Sequence, residues 1–229
     1  MTKAAIVLGA TGSVGQAVVK ELLRTGAFNP IVTLVRRASS EAVPAVREVV
    51  VPDMTPAALE AATLDAVRSV DGDVVGLSVL GIGAGTGKIT IDQHRAVDVR
   101  LNEAFARGLK ASGRVHHLAF MTAGGANPTA KETGSGAAGM ARYARVKGEA
   151  EEAVKASGID VVSIFRPAMI IGSQHTPWLL EKVLPVFGFL TPKKYKSITV
   201  DQIAHAMVAT SLTPPAKTDI YHYPEMIAL

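Results

Sequence analysis

Cysteine is absent from this chain, which removes disulfides, thiolate chemistry and cysteine-ligated metals together. Aromatic residues make up only 5% of the 229 positions, with a single tryptophan. No apolar run approaches the length that spans a bilayer, so no membrane partner is expected. No basic-then-apolar leader precedes the first strand-like run at Lys3, which reads as a cytoplasmic protein. The net charge is only +4, and the basic residues are scattered. Their one cluster, Lys193-Lys194-Tyr195-Lys196, reads as a solvated loop, so nucleic acid is not an expected partner. His116-His117 falls inside a strand with no set of metal ligands around it, and no metal is expected. No internal repeat is visible. What the chain does have is apolar residues, 48% of the total, enough for a sizeable core.

The opening is the most specific stretch. Lys3-Ala4-Ala5-Ile6-Val7-Leu8 runs into Gly9-Ala10-Thr11-Gly12-Ser13-Val14-Gly15. Beyond it, Val14, Ala17, Val18 and Leu22 share one side of a helical period, with Gln16, Lys20, Glu21 and Arg24 on the other. Strand, tight turn and helix follow one another at once. In that context glycines let backbone N–H groups approach a pyrophosphate at the positive end of the helix. The spacing is G-x-x-G-x-x-G rather than the common G-x-G-x-x-G. Gly9, Thr11, Gly12, Ser13, Val14 and Gly15 are the candidate phosphate-binding residues.

Strand-like and helix-like segments alternate along the chain. Strands are expected at 31–35, 46–51, 73–80, 115–121 and 159–165, with a last edge strand at 219–223. Helices are expected at 55–70, 90–110 and 140–157, with another from Thr199 to Leu212. Thr90 with Gln93, and Thr199 with Gln202, have the spacing of capping boxes. This alternation predicts an α/β fold with a doubly wound parallel sheet, a Rossmann fold, as one domain over residues 1–229. Residues 172–198, with Trp178, His175, Phe187 and Phe189, are a small C-terminal segment expected to cover a substrate.

Ligands of such sheets bind at the carboxyl ends of the strands, so the residues just beyond each strand matter most. Arg36-Arg37 follow strand two, where NAD-binding sites usually carry an acid for the ribose hydroxyl. Two guanidiniums there favour the 2′-phosphate of NADP(H) over NAD(H). Asp53 follows strand three and could accept from the adenine amino group or cap a helix. Leu80 and Gly81 open the glycine-rich loop after strand four, expected to lie over the cofactor. That loop is not a P-loop, because Ile82 stands where its first glycine should be and Ile89 follows Lys88. Tyr143 and Lys147 are four apart on one helix face. An ammonium near a phenol suits general acid catalysis of carbonyl reduction.

The glycines, the Tyr143–Lys147 pair and Arg166-Pro167 together resemble the short-chain dehydrogenase/reductase superfamily. The run Tyr143-Ala144-Arg145-Val146-Lys147-Gly148-Glu149 with Phe165-Arg166-Pro167 resembles its atypical, Tat-interacting-protein-like members most closely. The resemblance implies a catalytic hydroxyl at the end of strand five, where Thr122 stands in place of the usual serine. It implies that Pro167 and Met169 lie beside the nicotinamide, that Lys147 also binds the cofactor ribose, and that an asparagine of the helix after strand four contributes, with Asn102 the candidate. An NADPH-dependent reductase of a small-molecule carbonyl or enone is expected, as monomer or homodimer. The alternative the resemblance implies is a cofactor-reading regulatory protein that acts through a protein partner.

Overall fold

The computed structural model describes residues 2–39, 43–132, 137–172 and 192–229. The β-branched runs form seven parallel strands: β1 (Lys3–Leu8), β2 (Phe28–Val35), β3 (Val46–Val50), β4 (Val74–Ser78), β5 (Val115–Met121), β6 (Val161–Phe165) and β9 (Asp219–Tyr221). Their order is β3-β2-β1-β4-β5-β6-β9, so the winding reverses between β1 and β4. A crevice opens at such a reversal, outside the carboxyl ends of the strands. Leu8 pairs with Ser78, which places Gly9 directly beside the residues that leave β4.

Helices cover both faces, as parallel strands buried on both sides require. The apolar sides of α2 (Pro56–Arg68), α4 (Asn102–Ala111) and α5 (Ala137–Ala156) pack on one face, with Phe105, Leu109 and Phe120 at its centre. α1 (Ser13–Thr25) and α6 (Val200–Leu212) pack on the other, around Leu22, Phe165 and Met207. Gly108 has a specific reason to be glycine. A Cβ there would stand 2.6 Å from the Glu60 carbonyl oxygen and 2.7 Å from Thr63 Cβ, because the α4 backbone lies directly against α2.

Both capping boxes form: Thr90 accepts from Gln93 N–H at 3.1 Å, and Thr199 from Gln202 N–H at 3.1 Å. The helix expected over 90–110 is real but not uniform. It runs as α3 (Ile91–Arg95), one wider π turn (Ala96–Leu101) and then α4. Part of the glycine-rich loop after β4 is a 3₁₀ turn, Ala84–Lys88. The structure adds a small second sheet in which β7 (Met169–Ile171) runs parallel to β8 (Ser197–Thr199). Of the expected covering segment, residues 173–191, with His175, Trp178, Phe187 and Phe189, lie outside the described residues.

His117 is buried in β5, its Nε2 2.9 Å from Ser163 Oγ, while exposed His116 pairs with Asp160. Burial, helped by the charge of Lys3, pushes the His117 pKa down to about 4 from an ordinary 6.5. The folded state therefore resists protonation that the unfolded chain accepts. The resulting stability is complete above pH 6.5 and is lost as pH falls from 6.5 toward 4, by about 3 kcal/mol in all. His117→Asn is expected to flatten the pH dependence of thermal unfolding in that window. An unchanged slope would assign the acid sensitivity to other groups.

Candidate cofactor and active site

The turn after β1 is built around its glycines. Gly9 has φ +87°, and a Cβ would fall 2.7 Å from the Leu80 backbone nitrogen. A Cβ on Gly15 would stand 2.1 Å from the Gly9 carbonyl oxygen, so the first turn of α1 sits on the loop itself. Gly12 differs. A Cβ there would have the Gly9 carbonyl oxygen as its nearest neighbour, at 3.7 Å, so nothing among the described residues requires a glycine. Gly12 is also the N-cap of α1, with no side-chain cap and no acid in the first turn. Backbone N–H groups of that turn lack intrahelical partners. Room for close approach, unmet donors and the positive helix end together fit a phosphate anion.

Thr11 is exposed, Ser13 half-buried and Val14 buried toward the core. Arg36 and Arg37 are exposed just past β2, and among the described residues neither guanidinium has a hydrogen-bond or ion-pair partner. Asp53 is exposed before α2 and does not cap it; Thr55 does, accepting from Ala58 N–H at 3.3 Å. Leu80 and Gly81 lie across from Gly9, at the mouth of the crevice.

The helix after β4 and α5 run side by side and parallel, presenting residues at matching intervals of four. His94 stacks on Tyr143 with ring centroids 5.7 Å apart. One turn further, Lys147 Nζ is 3.4 Å from Asp98 Oδ2 and 5.5 Å from the centre of the Tyr143 ring. Lys147 is 5% exposed and Asp98 1%. Burial opposes the ammonium, but Tyr143 and Asp98 outweigh it and raise the Lys147 pKa above the ordinary lysine value. Burial likewise opposes the Asp98 carboxylate, but Lys147, His94 and the Ile82 N–H outweigh it and hold its pKa below the ordinary value. A Cβ on Gly81 would fall 2.6 Å from Lys147 Nζ, so the loop closes directly over the pair.

Asn102 is buried and fully engaged. It accepts from Ser78 Oγ at 2.5 Å and donates to the carbonyl oxygens of Leu80 and Asp98. It braces the end of β4, and Asp98 is the residue of this helix that meets Lys147.

Thr122 does lie at the end of β5, but its hydroxyl donates to Glu151 Oε1 at 2.6 Å. Glu151 is buried and also receives Arg166, whose Nε donates at 2.8 Å. Thr122 N–H donates to Phe165 O, and Gly124 N–H to Pro167 O. The cluster ties the ends of β5 and β6 to α5, and it commits the Thr122 proton to Glu151. Pro167 is buried and Met169 is 39% exposed, on the strand end beside Gly124. Neither Asp98 nor Glu151 was singled out from the sequence. The signal was present in the four-residue spacing of His94, Asp98 and Asn102 and of Tyr143, Lys147 and Glu151.

A doubly wound parallel sheet with a glycine turn at the reversal is the architecture of a dinucleotide-binding Rossmann fold. Residues 9–214 match the family model described as NAD(P)H-binding, and the chain belongs to that family. A curated relative named "Protein fmp52, mitochondrial", from Aspergillus fumigatus, is 27% identical over 215 residues, covering 90% of this chain and 85% of the relative. Among solved structures, the aldohexose dehydrogenase of Thermoplasma acidophilum superposes with a TM-score of 0.66 at 15% identity, covering 99% of this chain and 94% of that one. The Bordetella bronchiseptica enzyme WbmH, in complex with NAD+, superposes with a TM-score of 0.68 at 15% identity, covering 97% and 76%. At these identities the two structures support the fold.

The relatives correct one expectation. The cytoplasmic reading rested on the missing leader, yet curated relatives, including those of A. fumigatus, Aspergillus terreus and Aspergillus niger, are named mitochondrial. The absence of one kind of leader does not specify a compartment. No described helix is long and apolar enough to cross a membrane. Among the described residues, no group of three or more histidines and carboxylates is placed to hold a metal ion.

Proposed function

We propose that the protein is an NADPH-dependent oxidoreductase that reduces a small or medium-sized carbonyl or enone compound. The observation that carries this reading is the buried Lys147 ammonium, held against Tyr143 at the mouth of the crevice. A bound nicotinamide would supply the hydride. Tyr143 gives the proton to the substrate oxygen, acting as general acid. Lys147 balances the charge left on the phenol oxygen, and its ammonium also serves a ribose hydroxyl. Gly9, Thr11, Gly12, Ser13, Val14 and Gly15 hold the pyrophosphate. Leu80 and Gly81 cover the cofactor, Asp53 receives the adenine, and Pro167 and Met169 flank the reacting ring.

Arg36 and Arg37 select the phosphorylated cofactor. Two exposed guanidiniums with no partner among the described residues suit a phosphate, where each bidentate contact is charge-assisted. Calorimetric titration of the protein with NADPH, NADP, NADH and NAD tests this. The Arg36→Ala/Arg37→Ala variant is expected to lose about tenfold or more in affinity for NADPH, with NADH little changed, since hydrogen bonds to charged groups contribute about 1.5–3 kcal/mol each. Equal loss for both cofactors would remove the arginines from selectivity.

The commitment of the Thr122 hydroxyl to Glu151 favours a second reading, a cofactor-reading regulatory protein without turnover. A broad carbonyl screen separates the two. Oxidation of NADPH by any of these substrates supports the enzyme. Tight binding with no turnover, together with a cofactor-dependent interaction, supports the regulator.

A further inference from the structure

The carboxylate that meets Lys147 has no part in the mechanism described so far. Asp98 accepts from Ile82 N–H with both oxygens, at 2.9 and 3.1 Å, and His94 Nε2 stands 3.3 Å away. Burying two opposite charges is expensive, and apolar residues of the same size often serve stability as well or better. A pair retained at this depth, directly beneath the Tyr143 ring, calls for another reason. The backbone gives a second, independent observation. Asp98 lies within the π turn Ala96–Leu101, a local departure from α-helix that recurs at functional sites. His94, Asp98 and Asn102 are all buried along that stretch.

We propose that Asp98 is a positioning residue, which fixes the Lys147 ammonium beside Tyr143, keeps it protonated, and through Ile82 ties it to the loop that closes over the cofactor. This rests on the oxidoreductase reading for its purpose, though not for its chemistry. The groups around the pair are few. His94 faces it from α3 and Tyr143 from α5, while Gly81 and Ile82 contribute backbone. Removing the carboxylate removes an attraction that offsets burial, so Lys147 gives up its proton at lower pH.

The test follows the lysine itself. The full chain carrying lysine labelled with ¹³C at Cε is titrated by NMR, with the Lys147 resonance assigned from Lys147→Met. In Asp98→Asn the Lys147 midpoint is expected to move to lower pH, with partial return in Asp98→Glu. An unmoved midpoint in a folded variant overturns the proposal. In turnover, the alkaline limb of the pH profile is expected to move the same way, with kcat falling. A merely structural Asp98 would lower the folded fraction and move neither midpoint. The two readings fail separately. If Tyr143→Phe keeps full turnover while the Lys147 midpoint still moves, the catalytic reading falls and Asp98 keeps its role. If Tyr143→Phe is inactive while the midpoint stays fixed, the reverse holds. Should Asp98→Asn not fold, the neutral pair Asp98→Asn/Lys147→Met is expected to be more stable than Asp98→Asn alone. Equal instability would overturn the proposal.

Discussion

Tyr143→Phe is expected to lower turnover by about 10²–10⁴-fold, the usual contribution of a positioned general acid, and to leave NADPH binding unchanged. The substitution removes one oxygen and keeps the ring. The stack on His94 at 5.7 Å and the ring face toward Lys147 survive, so the fold around the site has no reason to move. What is lost is the hydroxyl, with its proton and its contact to Lys147. Steady-state kinetics on a substrate from the carbonyl screen, with calorimetry for NADPH, separates the two effects. Turnover retained in full would place proton delivery elsewhere. Loss of cofactor binding would mean that the phenol acts chiefly in assembling the site.

The second large effect is on folding. Gly15→Ala is expected to destabilise the protein by about 4 kcal/mol or more, in the range reserved for clashes that cannot relax. The new Cβ would meet the Gly9 carbonyl oxygen at 2.1 Å and Ala10 Cα at 2.7 Å, and both obstacles are backbone. The better helix propensity of alanine, about 1 kcal/mol, is too small to offset this. Gly12→Ala is the counterpart, with its nearest contact at 3.7 Å. It is expected to fold with nearly native stability and to lose affinity for NADPH, because the methyl group occupies the space a pyrophosphate needs. Urea unfolding of both variants with a cofactor titration of Gly12→Ala reads the pair. Stable Gly15→Ala would contradict the packing of α1 on the loop. Full cofactor affinity in Gly12→Ala would place the phosphates elsewhere.

These contrasts show what was legible in the chain. The parallel order followed from alternating apolar runs and helical periods, which are local signals. The glycine turn and the Tyr143–Lys147 spacing were local too, and both lie within residues 9–214, which match the NAD(P)H-binding family model. Asp98 was not legible in the same way. An aspartate inside a helix gains meaning only when the residue across from it is known, and Lys147 lies 49 positions away. The π turn has no compositional mark. The engagement of Thr122 depends on Glu151 and, through it, on Arg166, contacts that only tertiary packing creates. β7 and β8 are three residues each, too short for a period-two pattern to register.

The pairing of β7 with β8 also bears on how such a chain can diversify. The two strands are parallel, with Met169 opposite Ser197 and Ile171 opposite Thr199, so Ile171 and Ser197 are held at opposite ends of one short pair. Loop closure grows costlier only slowly with length, by about 0.6 kcal/mol for each doubling. With both ends fixed by that pair, a change in the number of residues between Ile171 and Ser197 would carry only this small entropic cost, and nothing in the pairing of β1 with β2 and β4 would have to change with it.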